Sequence, residues 1–109
     1  MVEAMIALVT CGSRKEAASI AETLVEEQLA ACVNVVPAVE SCYRWEGSVK
    51  WDTECLLIIK TTEGAIDRVH ERVAEQHSYD VPEFVALKID EGAAPYLKWI
   101  EDSVAEGLL

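Results

Sequence analysis

Three residues in this chain carry the side chains best suited to chemistry: a thiol at Cys11, an imidazole at His77 and a carboxylate at Glu83. Thiolate and imidazole are the ligands a copper or zinc ion selects, and a carboxylate can complete the set. Cys11 follows a short apolar run, Met5 to Val9, and precedes a helix start. The positive end of that helix is expected to lower its thiol pKa. His77 closes a second helical stretch. Its plainer reading is a helix-end histidine whose charge complements the C-terminus. Glu83 follows Pro82 at the start of a later strand. Lys60 ends an apolar strand, and a Lys60–Glu83 or Lys60–Asp80 ion pair is a structural reading of the same residues. His70 sits on an apolar helix stripe and reads as a packed residue. The chain contains no GxSxG, P-loop or GxGxxG pattern, and no nucleophile with a base and an orienting group. The expectation is a protein that is not an enzyme.

Simple elements must position these residues. Met5 to Val9 reads as a buried strand. Ser13 with Glu16 forms a capping box, and Ala17, Ile20, Ala21, Leu24 and Gln28 follow at helical spacing, so a helix ending near Leu29 is predicted. Two long strands come next, Cys32 to Trp45 and Ser48 to Lys60, joined at Glu46-Gly47, a two-residue hairpin signal. Pro37 interrupts the first and marks a bulge or an edge. Thr61 to Gly64 opens a second helix with Ile66, Val69, His70 and Val73 on its stripe. Val81 to Ile89 reads as a fourth strand, and Pro95 starts a last helix. The order βαββαβ plus a helix is the split-βαβ pattern, an α+β, ferredoxin-like sheet with two helices on one face. One domain over residues 1–109 is expected. The loops after the first strand and before the fourth are expected near opposite ends of adjacent strands, or meeting across a subunit boundary.

The ribbon is too long for its domain. Fourteen extended residues reach about 45 Å at ~3.3 Å per residue. A compact chain of this length has a radius of gyration near ~13 Å, hence a diameter of roughly 35 Å. The tip must overhang. Within each strand of the tip, apolar residues (Val39, Tyr43, Trp45; Val49, Trp51) alternate with charged ones, which predicts one largely apolar and one charged face. Such a ribbon wants a neighbour, and another copy of the chain is the cheapest. Tyr43, Trp45, Trp51, Lys60 and Tyr79 are expected at an interface or inter-subunit cleft.

Charge narrows the partners. Nine Lys and Arg stand against 20 Asp and Glu, a formal charge of −11. Nucleic acid and anionic membrane surfaces are therefore not expected partners, while cations are weakly attracted. No basic leader and no membrane-length apolar run is seen, and the four cysteines form no CxxC pair. Free thiols in a reducing cytoplasm are the expectation.

Several stretches, in order, resemble the CutA family of divalent-cation tolerance proteins. They are Leu29-Ala30-Ala31-Cys32-Val33-Asn34-Val35-Val36-Pro37, Tyr43-Arg44-Trp45-Glu46-Gly47, Ile59-Lys60-Thr61-Thr62, His77-Ser78-Tyr79-Asp80-Val81-Pro82-Glu83 and Tyr96-Leu97-Lys98-Trp99-Ile100. The resemblance implies a ferredoxin-like fold and a homotrimer in which long hairpins pair with neighbouring subunits. It also implies copper or other divalent-cation binding, with no cofactor needed for folding. It places Cys11 at the family's cysteine after the first strand and His77 at the histidine of a His-Pro-Tyr stretch. Here Ser78 replaces that proline, and Gln76 stands where some members carry a further histidine. An architecture similar to PII signalling proteins gives the alternative reading: a signalling or scaffold trimer with a small molecule or partner in its cleft.

Overall fold

A computed structural model describes residues 3–105. β1 (Ala4–Cys11) leads into α1 (Arg14–Glu26), then β2 (Cys32–Trp45) and β3 (Ser48–Thr62). A 3₁₀ turn (Glu63–Ala65) precedes α2 (Ile66–Gln76), followed by β4 (Val85–Lys88) and α3 (Ala94–Ser103). The strands form one antiparallel sheet in the order β2-β3-β1-β4. This is the expected split-βαβ α+β arrangement, with β1 central.

β1 lies between β3 and β4, and its alternate residues Met5, Ala7, Val9 and Cys11 all face inward. Ala7, Val9 and Cys11 join Leu57 and Ile59 of β3, Ala17, Ile20 and Leu24 of α1, and Val69 and Val73 of α2 in one cluster. Each large apolar side chain so buried contributes about 1.5–3 kcal/mol. α3 lies against β3 and β1, and its Ile100 is buried outside that cluster.

The helix ends differ from the sequence expectation in an instructive way. Ser13 caps α1 by accepting from the Glu16 amide, as the pattern predicts. α1 stops at Glu26 rather than near Leu29. Gln28 adopts φ 60, and the Leu29 and Gln28 amides donate back to the Leu24 and Val25 carbonyls. That double bond pattern is a Schellman stop, made here without glycine. The stripe therefore continues past the last helical turn.

The β2–β3 ribbon turns at Glu46 (φ 50) and Gly47 (φ 80), both left-handed, the geometry of a type I′ hairpin. The longest dimension of the molecule is 45 Å, against 27 and 22 Å for the others, so the ribbon does overhang. The expected division of its tip into an apolar and a charged face does not hold. Trp45 pairs with Ser48, Tyr43 with Lys50 and Cys42 with Trp51. A two-residue turn sets odd residues of β2 opposite even residues of β3, so apolar positions of one strand face charged positions of the other. Both faces of the tip are mixed. Toward the base, Pro37 and Ala38 stand opposite Cys55 alone, a β-bulge. Proline is tolerated there because it has no amide to lose from the ladder.

β4 is shorter than the predicted Val81–Ile89 span. Pairing stops at Leu8–Val85. Continuing the register would bring Thr10 opposite Glu83, but the Thr10 carbonyl is already taken by a side chain from the preceding loop. His70 is exposed rather than packed within the core, with its ring stacked on Phe84 at 4.5 Å between centroids.

Candidate metal site at the end of the first strand

β1 and β4 run antiparallel, so the chain leaving β1 and the loop entering β4 lie at the same end of the sheet. The expectation that they lie at opposite ends, or meet only across a subunit boundary, is corrected. They meet within one chain. His77 Nε2 lies 2.7 Å from the Thr10 carbonyl, and its Nδ1 lies 3.1 Å from the Tyr79 amide. A carbonyl can only accept and an amide can only donate, so Nε2 carries the proton and Nδ1 accepts. Both nitrogens of this fully buried ring are occupied. The Glu16 carboxylate is 3.8 Å from Nδ1 and accepts from the Ser78 amide and hydroxyl. Glu83 is exposed, with its Oε1 3.5 Å from the Thr10 hydroxyl.

Tyr79 folds over the same place. Its ring lies 4.7 Å from that of His77, and its hydroxyl donates to Glu54 at 2.9 Å. Gly12 passes beneath: a Cβ there would stand 3.1 Å from the tyrosine oxygen. Burial, then the Glu54 carboxylate, pushes the Tyr79 hydroxyl up to about 12. On the ribbon, the Tyr43 hydroxyl donates to Asp52, and that bond raises its pKa.

Cys11 is wholly buried. Burial pushes its thiol up to about 12, with the carboxylate of Glu16, the Cys55 sulfur and the carboxylate of Glu54 adding to the effect. Burial in apolar surroundings penalises thiolate more than the helix start favours it. The predicted lowering of this pKa is thus reversed.

The structure brings Cys11, His77 and Glu83 to one strand end without aiming their donors at one point. Among the described residues, no three His, Cys, Asp or Glu side chains are arranged to hold a metal ion. The imidazole has no free lone pair and the thiol keeps its proton, so within a single chain this set does not fit a closed metal centre. Lys60 pairs with neither Glu83 nor Asp80; its Nζ donates to Asn34 Oδ1. Glu16, Glu54 and Gly12 belong to this neighbourhood, yet the sequence alone does not single them out. Glu16 has a sufficient local explanation as half of a capping box, and Glu54 acquires its place only through the β1–β3 register. Trp45, Trp51 and Tyr43 lie exposed on the ribbon.

An antiparallel split-βαβ sheet drawn out into a ribbon defines a class of small α+β proteins. The rice CutA1 crystal structure superposes with a TM-score of 0.94 at 44% identity, covering 97% of each chain. Within that class, the chain belongs to the CutA1 divalent ion tolerance family, whose sequence profile matches residues 5–103. The divalent-cation tolerance protein CutA of Thermus thermophilus is 50% identical over 98 residues, spanning 90% of this chain and 95% of its own. The chloroplastic CutA protein of Arabidopsis thaliana is 45% identical over 94% of this chain, which covers 56% of that longer relative. No helix among the described residues is long and apolar enough to cross a membrane.

Proposed function

We propose that this chain acts in divalent-cation tolerance as a cytoplasmic homotrimer that binds divalent ions, copper foremost, by a binding role rather than catalysis. The observation that carries the reading is the match to the divalent ion tolerance family over residues 5–103. Cys11, His77 and Glu83 end at the same strand end, where Glu83 is the exposed donor. Carboxylate oxygens make the first contacts there, because the imidazole and thiol are engaged or protonated in the single chain. Copies of the chain complete the site. Support for assembly comes from the unpartnered ribbon tip, where Trp51 is 65%, Val49 64% and Trp45 55% exposed. It comes also from β4, an edge strand whose Val85 and Leu87 are exposed. Apolar edges and patches of this kind are normally covered.

Sedimentation equilibrium tests assembly: three times the 12.0 kDa chain mass is expected, and a monomer at micromolar concentration overturns the trimer. Trp51→Asp should shift that mass toward the single chain. Calorimetric titration with Cu²⁺ tests the site. Cys11→Ala/His77→Ala and Glu83→Gln variants should each bind at least tenfold more weakly, ~1.4 kcal/mol. Unchanged binding in both removes the site.

A further inference from the structure

We propose that Cys11 and Cys55 are a cross-strand redox pair that closes into a disulfide within one chain. The two residues are direct partners in the β1–β3 register and point to the same, inner face of the sheet. The Glu63 amide donates to the Glu3 carbonyl, which fixes odd-numbered residues of β1 as the hydrogen-bonded positions toward β3. Cys11 and Cys55 therefore form such a position, with Cα atoms about 5.5 Å apart. That separation lies in the range disulfides adopt, although Cβ atoms of such pairs must draw in to roughly 4 Å.

The surroundings permit that movement. Cys11 is the last residue of β1, where the ladder ends. Cys55 faces the Pro37–Ala38 bulge, and its thiol donates to the Pro37 carbonyl at 3.3 Å. A bulge is where strand spacing and direction adjust most easily. The disulfide is neutral, as the dithiol is, so closing the pair adds no charge to an interior flanked by Glu16 and Glu54. The other two thiols are placed differently: Cys42 is exposed on the ribbon tip and Cys32 lies at its base opposite Lys60.

A small-molecule disulfide such as oxidised glutathione supplies the oxidising equivalents. Cys55, 4% exposed against 0% for Cys11, loses its proton and attacks one glutathione sulfur, expelling a glutathione thiolate. During refolding, before Cys11 is buried, its thiol loses its proton and attacks the Cys55 sulfur, expelling the second glutathione thiolate. Two protein thiols are oxidised, one glutathione disulfide is reduced, and two protons are released. The closed form withdraws the Cys11 thiol from the candidate cation site; this consequence alone rests on the reading above.

The test is refolding of reduced protein in glutathione buffers of increasing oxidising strength, without metal, so that its failure is read separately from any failure of cation binding. Both the native sequence and a Cys32→Ser/Cys42→Ser variant are used. Differential alkylation and tryptic peptide mapping follow, with cleavage after Arg14, Lys50 and Lys60 isolating the two cysteines on separate peptides. The expected result is one linked peptide pair joining Cys11 to Cys55 and a higher melting temperature in the oxidised form, abolished by Cys55→Ser. Cys11 and Cys55 remaining as thiols or glutathione adducts at every ratio, or links between chains only, would overturn the proposal.

Discussion

The base and the tip of the β2–β3 ribbon are the same two strands in two different solvents. At the base, Leu57 and Ile59 are sealed between β1 and the helices. At the tip, beyond Val39, almost every side chain is exposed, including Trp45, Val49 and Trp51. The base closes its own core, so its residues are fixed by packing within one chain. The tip has backbone pairing and a favourable turn but nothing to pack on. A two-stranded ribbon alone is marginal in water, and the proposed assembly would cover it.

Substitutions at matched apolar positions should separate the two regions most sharply. Leu57→Ala empties a fully buried site and should cost about 2–5 kcal/mol in urea unfolding. Val49→Ala at the tip should change monomer stability by no more than ~0.5 kcal/mol. Equal losses would break the distinction. A dependence on pH comes next. The Cys11 thiol is held up to about 12, against an ordinary value of 9.0. Folding then favours the protonated thiol, so its contribution is complete below pH 9 and is lost as pH rises toward 12. In that window it adds a fall of ~1.4 kcal/mol per pH unit. Cys11→Ala should flatten the alkaline limb of the stability curve by that slope, and an unchanged slope would contradict the burial argument. The most local effect belongs to the turn. Gly47 has left-handed backbone. Gly47→Ala forces an L-residue into that conformation and should cost about 1–2 kcal/mol. Hydrogen exchange should show faster opening confined to the tip amides, with those of Leu57 and Ile59 as protected as before.

Much of this fold is legible in residue order because its signals are local. Glu46-Gly47 announces the turn, Ser13 with Glu16 the helix start, and Pro37 the bulge. What sequence misreads are features that need two distant segments. The Thr10 carbonyl is claimed by His77, 67 residues away, and this truncates β4 where the alternation of Val81 to Ile89 suggests a longer strand. The tip faces look segregated strand by strand but mix once the turn fixes which residues stand opposite. The candidate site is half legible for the same reason. Its residue types stand out, but their protonation and hydrogen bonding depend on burial and on Glu16 and Glu54.

The bulge at Pro37–Ala38 reconciles two clamps set out of step. The hydrophobic base fixes Cys32 against Lys60, and the turn fixes Trp45 against Ser48; counted inward, the two registers disagree by one residue. The surplus is absorbed opposite Cys55. Removing Ala38 would bring the clamps into step without moving a side chain at either end to a new partner. What would change is the bend and twist that a bulge imparts, and with them the direction in which the overhang points. The extra residue thus acts as a steering joint, and it aims the surface that a second molecule would meet.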